Sequence, residues 1–199
     1  MAKKAQINMR GLQKELDRKG KRVLTRLVKQ KAQKAVEQST IELIERFLND
    51  PITKEIQGGP DAKNISDTLG GVGNLFSYIG FEEGSDPISP IRRYLANSLK
   101  IESISSKDLI FKITFSVPDM DEIKGLSPVP WAPGRSWVKA MESGLSGLGN
   151  YLVKESPVSR SGSAIQVKTK IRSGAFKNTK YMSAILKEVQ KQLIEALRK

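Results

Sequence analysis

Residues Gly70 to Phe81 read GGVGNLFSYIGF, three glycines in four positions running into an aromatic, apolar segment that holds a fourth. Such a cluster either cradles phosphate, which would point to an enzyme, or serves as the hinge by which one element of a small fold turns into the next. A phosphate loop of the form G-x-x-x-x-G-K-[ST] needs a lysine after its last glycine, and none follows Gly73. A dinucleotide loop needs G-x-G-x-x-G. Gly71, Val72 and Gly73 begin that motif, but Phe76 stands where the last glycine belongs. The hinge is the better reading: glycine admits positive φ, so the chain can turn sharply into a strand that packs Leu75, Ile79 and Phe81.

Upstream, Leu24, Leu27, Val28, Ala32, Ala35, Val36, Leu43, Ile44, Phe47 and Leu48 recur at spacings of three and four, which predicts one apolar stripe on a long helix over 21–48. At 1.5 Å per residue such a helix reaches roughly 40 Å, more than a small core needs. Pro51 ends it, since the residue before a proline disfavours helix. Downstream, DLIFKITFSVP alternates Leu109, Phe111, Ile113, Phe115 and Val117 with Ile110, Lys112, Thr114 and Ser116, the period of a strand with one core face. AIQVKTKI repeats that period, and LKIESI and LFSYIGF are shorter strand candidates. In the last segment Ile185, Leu186, Val189, Leu193, Ile194 and Leu197 share one helical face, expected to cover the sheet. The order predicts an α+β fold: a long N-terminal helix, a small, mostly antiparallel sheet and a C-terminal helix packed on it. A basic tail over 1–20 would precede a single domain over 21–199.

Composition narrows the chemistry. The 199 residues include no cysteine and no histidine, which removes disulfides, thiolate chemistry and the commonest general base and metal ligand. No catalytic activity and no cofactor or metal is expected. The N-terminal segment lacks the apolar core of a secretory signal, and no apolar run approaches the length of about 18 residues that spans a bilayer. A soluble protein without a membrane partner is expected. The net charge is +13, and the first 34 residues hold twelve Lys and Arg against Glu15 and Asp17, an excess of ten. Lys14, Arg18, Lys19, Lys21, Arg22 and Arg26 are therefore candidate contacts for DNA phosphates, bound without sequence preference. No aromatic residue precedes Phe47, so no stacking platform for single strands accompanies them.

Three further motifs fail on their chemistry. GLSGLG, Gly144 to Gly149, places Leu148 where a G-x-S-x-G elbow needs glycine, and no histidine is present to activate a serine. PDMDEIK holds Asp119, Glu122 and Lys124 in the order of a metal-dependent nuclease, yet two intervening residues are too few to reach the second strand such a site requires. Asn64-Ile65-Ser66 matches a glycosylation sequon without a secretory signal to make it meaningful. The stretch 118–137 carries Pro118, Pro128, Pro130 and Pro133 and reads as a long loop, expected to be an interface arm that orders on assembly. Its Trp131 and Trp137 are the chain's two tryptophans, and aromatic anchors are enriched where partners bury surface. With Arg135 between them and Phe47 near the end of the long helix, they are the expected interface residues.

The long helix, the turn into GNLFSYIGF, the strand LIFKITFSV, the segment SWVKAMESG and the run FKNTKYMSAILKEVQKQL together resemble the neck proteins of tailed bacteriophages, of the tail-completion or head-to-tail joining type. The resemblance spans about Ser39 to Lys199. Where that family places Pro-x-x-Thr-Gly-x-Leu, DTLGGVGNLF keeps Gly73 and Leu75 and departs before them. Trp137, Glu142 and Gly144 stand for the family's aromatic and acid-glycine segment, and Phe176 with Tyr181 for the bend before its closing helix. The resemblance implies a virion protein assembled in the host cytoplasm. It would form a ring, of six copies by analogy with the family, between head connector and tail, with itself and the adjoining connector and tail proteins as partners. A tail terminator ring protein is the alternative within virions, and a basic nonspecific nucleic-acid-binding protein the alternative outside them.

Overall fold

The computed structural model describes residues 9–69, 73–107, 110–143, 151–154, 164–167 and 180–198. Helix α1 spans Met9–Asn49, 41 residues and thus about 60 Å. It begins inside the stretch expected to be a tail, because Leu12, Gln13, Lys14, Glu15 and Leu16 are all strong helix formers. It stops at the predicted boundary. Asp50 leaves the helical region (φ −63°, ψ 136°) and its carboxylate accepts the Ile52 N–H at 2.9 Å, capping α2 (Pro51–Gln57) with Pro51 in the first turn.

Burial pushes the Asp50 carboxyl above the usual carboxylate range, against the opposing pull of its backbone hydrogen bonds from Ile52 and Thr53. A carboxyl raised in the folded state favours folding most at low pH, and that contribution is lost as pH rises through the folded value. Asp50→Asn keeps the capping oxygen and removes the buried charge. It should therefore be more stable than the parent in urea at pH 7, with the difference vanishing near pH 3, where both side chains are neutral.

The glycine segment does turn sharply, with φ of +70° at Gly73 and +85° at Gly80, but what it enters is a helix rather than the expected strand. Asn74 accepts the Ser77 N–H at 2.9 Å and caps α3 (Leu75–Ile79), which Gly80 closes in the left-handed region. Leu75 and Ile79 are fully buried. Both lie on one face whether the segment is helix or strand, since a separation of four satisfies either period. One buried carboxylate fixes the loop before α3: Glu55 of α2 accepts the Ser66 N–H at 2.9 Å and the Leu75 N–H at 2.7 Å.

Helix α4 (Ser89–Ser98) leads into β1 (Lys100–Lys107) and β2 (Ile110–Ser116), an antiparallel pair in which Ile104 faces Ile113 and Ser106 faces Phe111. The predicted alternation holds: Phe111, Ile113 and Phe115 are half-buried while Ile110, Lys112 and Thr114 are exposed. Then come α5 (Met120–Gly125), β3 (Pro128–Val129), β4 (Ala132–Ser136), α6 (Trp137–Ser143), β5 (Tyr151–Lys154), β6 (Ala164–Val167) and α7 (Met182–Arg198). Instead of one four-stranded sheet, the described strands form three separate antiparallel ladders, β1–β2, β3–β4 and β5–β6. The part of AIQVKTKI beyond Val167 lies outside the described residues.

The class is α+β as expected, with a long N-terminal helix, small antiparallel strand pairs and a C-terminal helix. The core is largely helical: Leu43 and Phe47 of α1, Ile52 and Ile56 of α2, Ile91 and Leu95 of α4, and Trp137 and Met141 of α6 meet in one cluster. Helix α7 buries Met182, Ile185, Leu186, Val189 and Leu193, most of the predicted stripe. The surface it chiefly covers is α1 rather than a sheet. Tyr181 packs on Phe47 with ring centroids 6.5 Å apart, two residues before α1 ends, so α7 runs back along α1. Two stripes of matching helical period bury more apolar area against each other than a two-stranded ladder can offer.

Candidate interaction surface

The proline-rich stretch is folded onto the body instead of forming an open arm. Asp119 accepts the Asp121 N–H and caps α5, while Lys124 pairs with Asp121 at 2.7 Å, so Asp119 and Lys124 of the nuclease-like motif serve one helical turn. The buried hydroxyls of Ser127 and Ser136 bond each other at 2.6 Å, and Ser127 O accepts the Trp137 N–H at 2.8 Å. These bonds close the β3–β4 hairpin, whose short strands tolerate Pro128 and Pro133 because few ladder donors are needed. Trp131, half-buried, donates its indole N–H to Ile79 O at 2.7 Å, at the C-terminal end of α3. Trp131→Ala should cost about 1–3 kcal/mol of monomer stability, read by chemical denaturation, from lost packing and an orphaned carbonyl.

Two of the four expected interface residues are core residues. Trp137 and Phe47 have no exposed surface, each held against Tyr181, with ring centroids 6.2 Å away for Trp137. An aromatic side chain on a helix is drawn inward wherever its face meets other apolar faces, and the local sequence does not encode that meeting. Arg135 is exposed on β4. The acid of SWVKAMESG has a structural partner: Glu142 accepts the Ser183 N–H at 2.8 Å and its hydroxyl at 2.6 Å, holding the start of α7. Both amide atoms of Asn64 are enclosed, so the sequon presents no accessible nitrogen. Gly144 and Phe176, and the GLSGLG segment, lie outside the described residues. Among the described residues no three His, Cys, Asp or Glu side chains are placed to share a metal ion, and no helix is long and apolar enough to cross a membrane.

The surface that remains is the N-terminal half of α1. Buried positions on this helix begin at Ala32 and continue through Ser39, Leu43 and Phe47; from Arg18 to Lys31 every described side chain is exposed except the half-buried Val28. About 20 Å of helix, Arg18 to Lys31, therefore precedes the core-facing stretch. Arg18, Lys21, Arg22 and Thr25, at i, i+3, i+4 and i+7, line one open hollow, and Gln30, Lys31, Gln33, Lys34 and Glu37 line another. Of the six candidate phosphate contacts, Arg18, Lys21 and Arg22 are thus brought together. Arg26 and Lys19 are exposed farther round the helix, and of Lys14 only the backbone is described.

Of the expected stripe along α1, Ala32, Leu43 and Phe47 are buried, Val28, Ala35, Val36, Ile44 and Leu48 are half-buried, and Leu24 and Leu27 are exposed. Val23, Leu27 and Ile41 are exposed by about half, and at 100° per residue they fall within about 40° of each other and about 180° from the buried line of Ala32, Ser39, Leu43 and Phe47. Of these three exposed residues only Leu27 belonged to the expected stripe; Val23 and Ile41 stood outside it. A helical projection of Val23, Leu27, Lys34 and Ile41 against Ala32, Ser39 and Leu43 separates the exposed line from the buried one. Like charges at i, i+3 and i+4 weaken the exposed half, so anions or an acidic neighbour would favour its helical state. The chain matches no family model, no curated protein and no solved structure.

Proposed function

We propose that this chain is a non-enzymatic structural subunit of a tailed-phage neck, one copy of a ring, six by the resemblance, that joins the head connector to the tail. The observation that carries the reading is the half of α1 that continues past the core with exposed apolar and basic side chains, on an α+β body of the kind the resemblance implies. A subunit that works alone gains nothing from such a surface; one that sits between neighbours uses it at every step of a ring. In a phage encoding the chain, a nonsense mutation should yield DNA-filled heads and separate tails, and added protein should join them. Normal virions from the mutant would sink the proposal.

The exposed Arg18, Lys21 and Arg22 support a second reading, a basic protein that binds nucleic acid without sequence preference. Sedimentation with and without duplex DNA separates the two. A joining protein assembles or meets its partner proteins regardless of DNA, whereas a DNA-binding protein changes its sedimentation only with it, and less so as salt rises.

A further inference from the structure

Strand β2 holds the most exposed large apolar side chain among the described residues, Ile110, at 75%. Its sequence, IFKITFS, has no proline or glycine and a single charge, and five of its seven residues are β-branched or aromatic, the composition of a strand that pairs readily with another chain. Its ladder has two strands, and among the described residues no backbone bond from 110–116 reaches beyond it. One edge of β2 therefore presents its N–H and C=O groups unpaired. Natural sheets guard such an edge with proline, a bulge or an inward charge, and the bulge of this ladder, at Ile101–Ser103, lies on β1 and not on β2. The apolar face is unfinished as well. Phe111, Ile113 and Phe115 are half-buried, and neither they nor Ile101 and Ile104 across the ladder belong to the core cluster or to the side chains packed on it. β1 lies against α1, while β2 has β1 as its chief neighbour. A two-stranded ladder is only marginally stable by itself, so a further strand along the free edge stabilises it most.

We propose that the same strand of a second copy completes this edge, β2 pairing antiparallel with β2 about a two-fold axis at Ile113. The strand is complementary to itself in that register. All seven residues meet a partner: Ile113 faces Ile113 and Phe111 faces Phe115 twice on the apolar face, while Lys112 faces Thr114 twice on the outer one. Centring the pair on Lys112 instead would set lysine against lysine and leave Phe115 and Ser116 without opposites, and centring it on Thr114 would leave Ile110 and Phe111 so. Parallel, in-register pairing would also stack lysine on lysine. The antiparallel contact joins the two ladders into one sheet, in the order β1–β2–β2–β1, with about six to eight new backbone hydrogen bonds. A two-fold contact closes at two copies, so this inference goes beyond the ring reading and does not depend on it.

The absence of cysteine makes the test direct, because any disulfide reports only introduced positions. In the nuclease-treated full chain, Ile113→Cys should give a covalent dimer on mild oxidation, since residues directly opposite in an antiparallel pair have Cα atoms about 4.5–5.5 Å apart, within disulfide reach. Ile110→Cys, about 20 Å from its counterpart in this register, should give little at the same concentration. Adding Thr114→Lys to Ile113→Cys sets two like charges across the axis and should lower the yield of linked dimer about fivefold at low salt. Further adding Lys112→Glu should restore the yield, which a loss of folding would not allow. Sedimentation of the parent chain, free of any packing change, should show a two-copy species that Thr114→Lys weakens. No link at position 113, equal linking at 110, a yield that the charge variants leave unchanged, or a parent that stays monomeric at every concentration would each overturn the proposal. Rings seen by electron microscopy without linkage at 113 would overturn this contact and leave the ring standing.

Discussion

Trp137→Ala should lower the unfolding free energy by about 3–5 kcal/mol, the range for deleting a fully buried large aromatic. Trp137 has no exposed surface, and it meets Phe81 edge-on at 6.3 Å (87°) and Tyr181 at 6.2 Å (34°). Its removal opens a cavity at the junction of α6, α7 and the segment after α3. The indole N–H has no hydrogen-bond partner among the described residues, so its polarity contributes little to holding the ring in place. Trp137→Phe, which keeps most of the apolar contact and drops that donor, should consequently cost far less. Urea denaturation of both variants checks the pair. A Trp137→Ala chain of undiminished stability that no longer assembles would return the residue to the interface.

Glu55→Ala should cost about 3 kcal/mol, since it leaves the amides of Ser66 and Leu75 without their acceptor in a buried setting. These amides lie 11 and 20 residues downstream, so one side chain of α2 sets both the path of the loop and the first turn of α3. Glu55→Gln retains one acceptor oxygen but turns an amide NH2 toward a donor, and should fall between the parent and alanine. Hydrogen exchange supplies a local readout: protection at Ser66 and Leu75 should be lost in Glu55→Ala at denaturant concentrations where amides of α7 stay protected. Equal loss everywhere would mean that the carboxylate supports the whole core and not this loop.

Much of the chain was legible before any packing was known, and for one reason: periodicity and stop signals are local. Strand β2 follows from the alternation Phe111, Ile113, Phe115; α7 from Ile185, Val189 and Leu193; the end of α1 from Pro51; and the α+β class from the order of these elements. Glycine at position 73 correctly announced a turn of positive φ, whereas Gly80, read within a strand, closes a helix in the left-handed region. What local pattern cannot contain is the identity of the partner across the core. Leu75 and Ile79 fit either a strand or a helix, and the choice came from Asn74 and Gly80 capping a short helix held by Glu55 from another element. Trp131 and Trp137 looked alike as anchors among prolines and glycines, yet the first seals the end of α3 and the second is core, because Phe81 after α3 and Tyr181 before α7 both pack on its ring. The expected stripe of α1 is exposed at Leu24 and Leu27 and buried from Ala32 on for the same reason: α7 is long enough, about 25 Å, to cover only the C-terminal part of a helix of about 60 Å. The sequence by itself thus determined where the elements begin, end and turn. Which apolar faces are spent inside the chain, and which are left for other molecules, was decided only by tertiary structure, since burial depends on the lengths and positions of elements far apart in the chain.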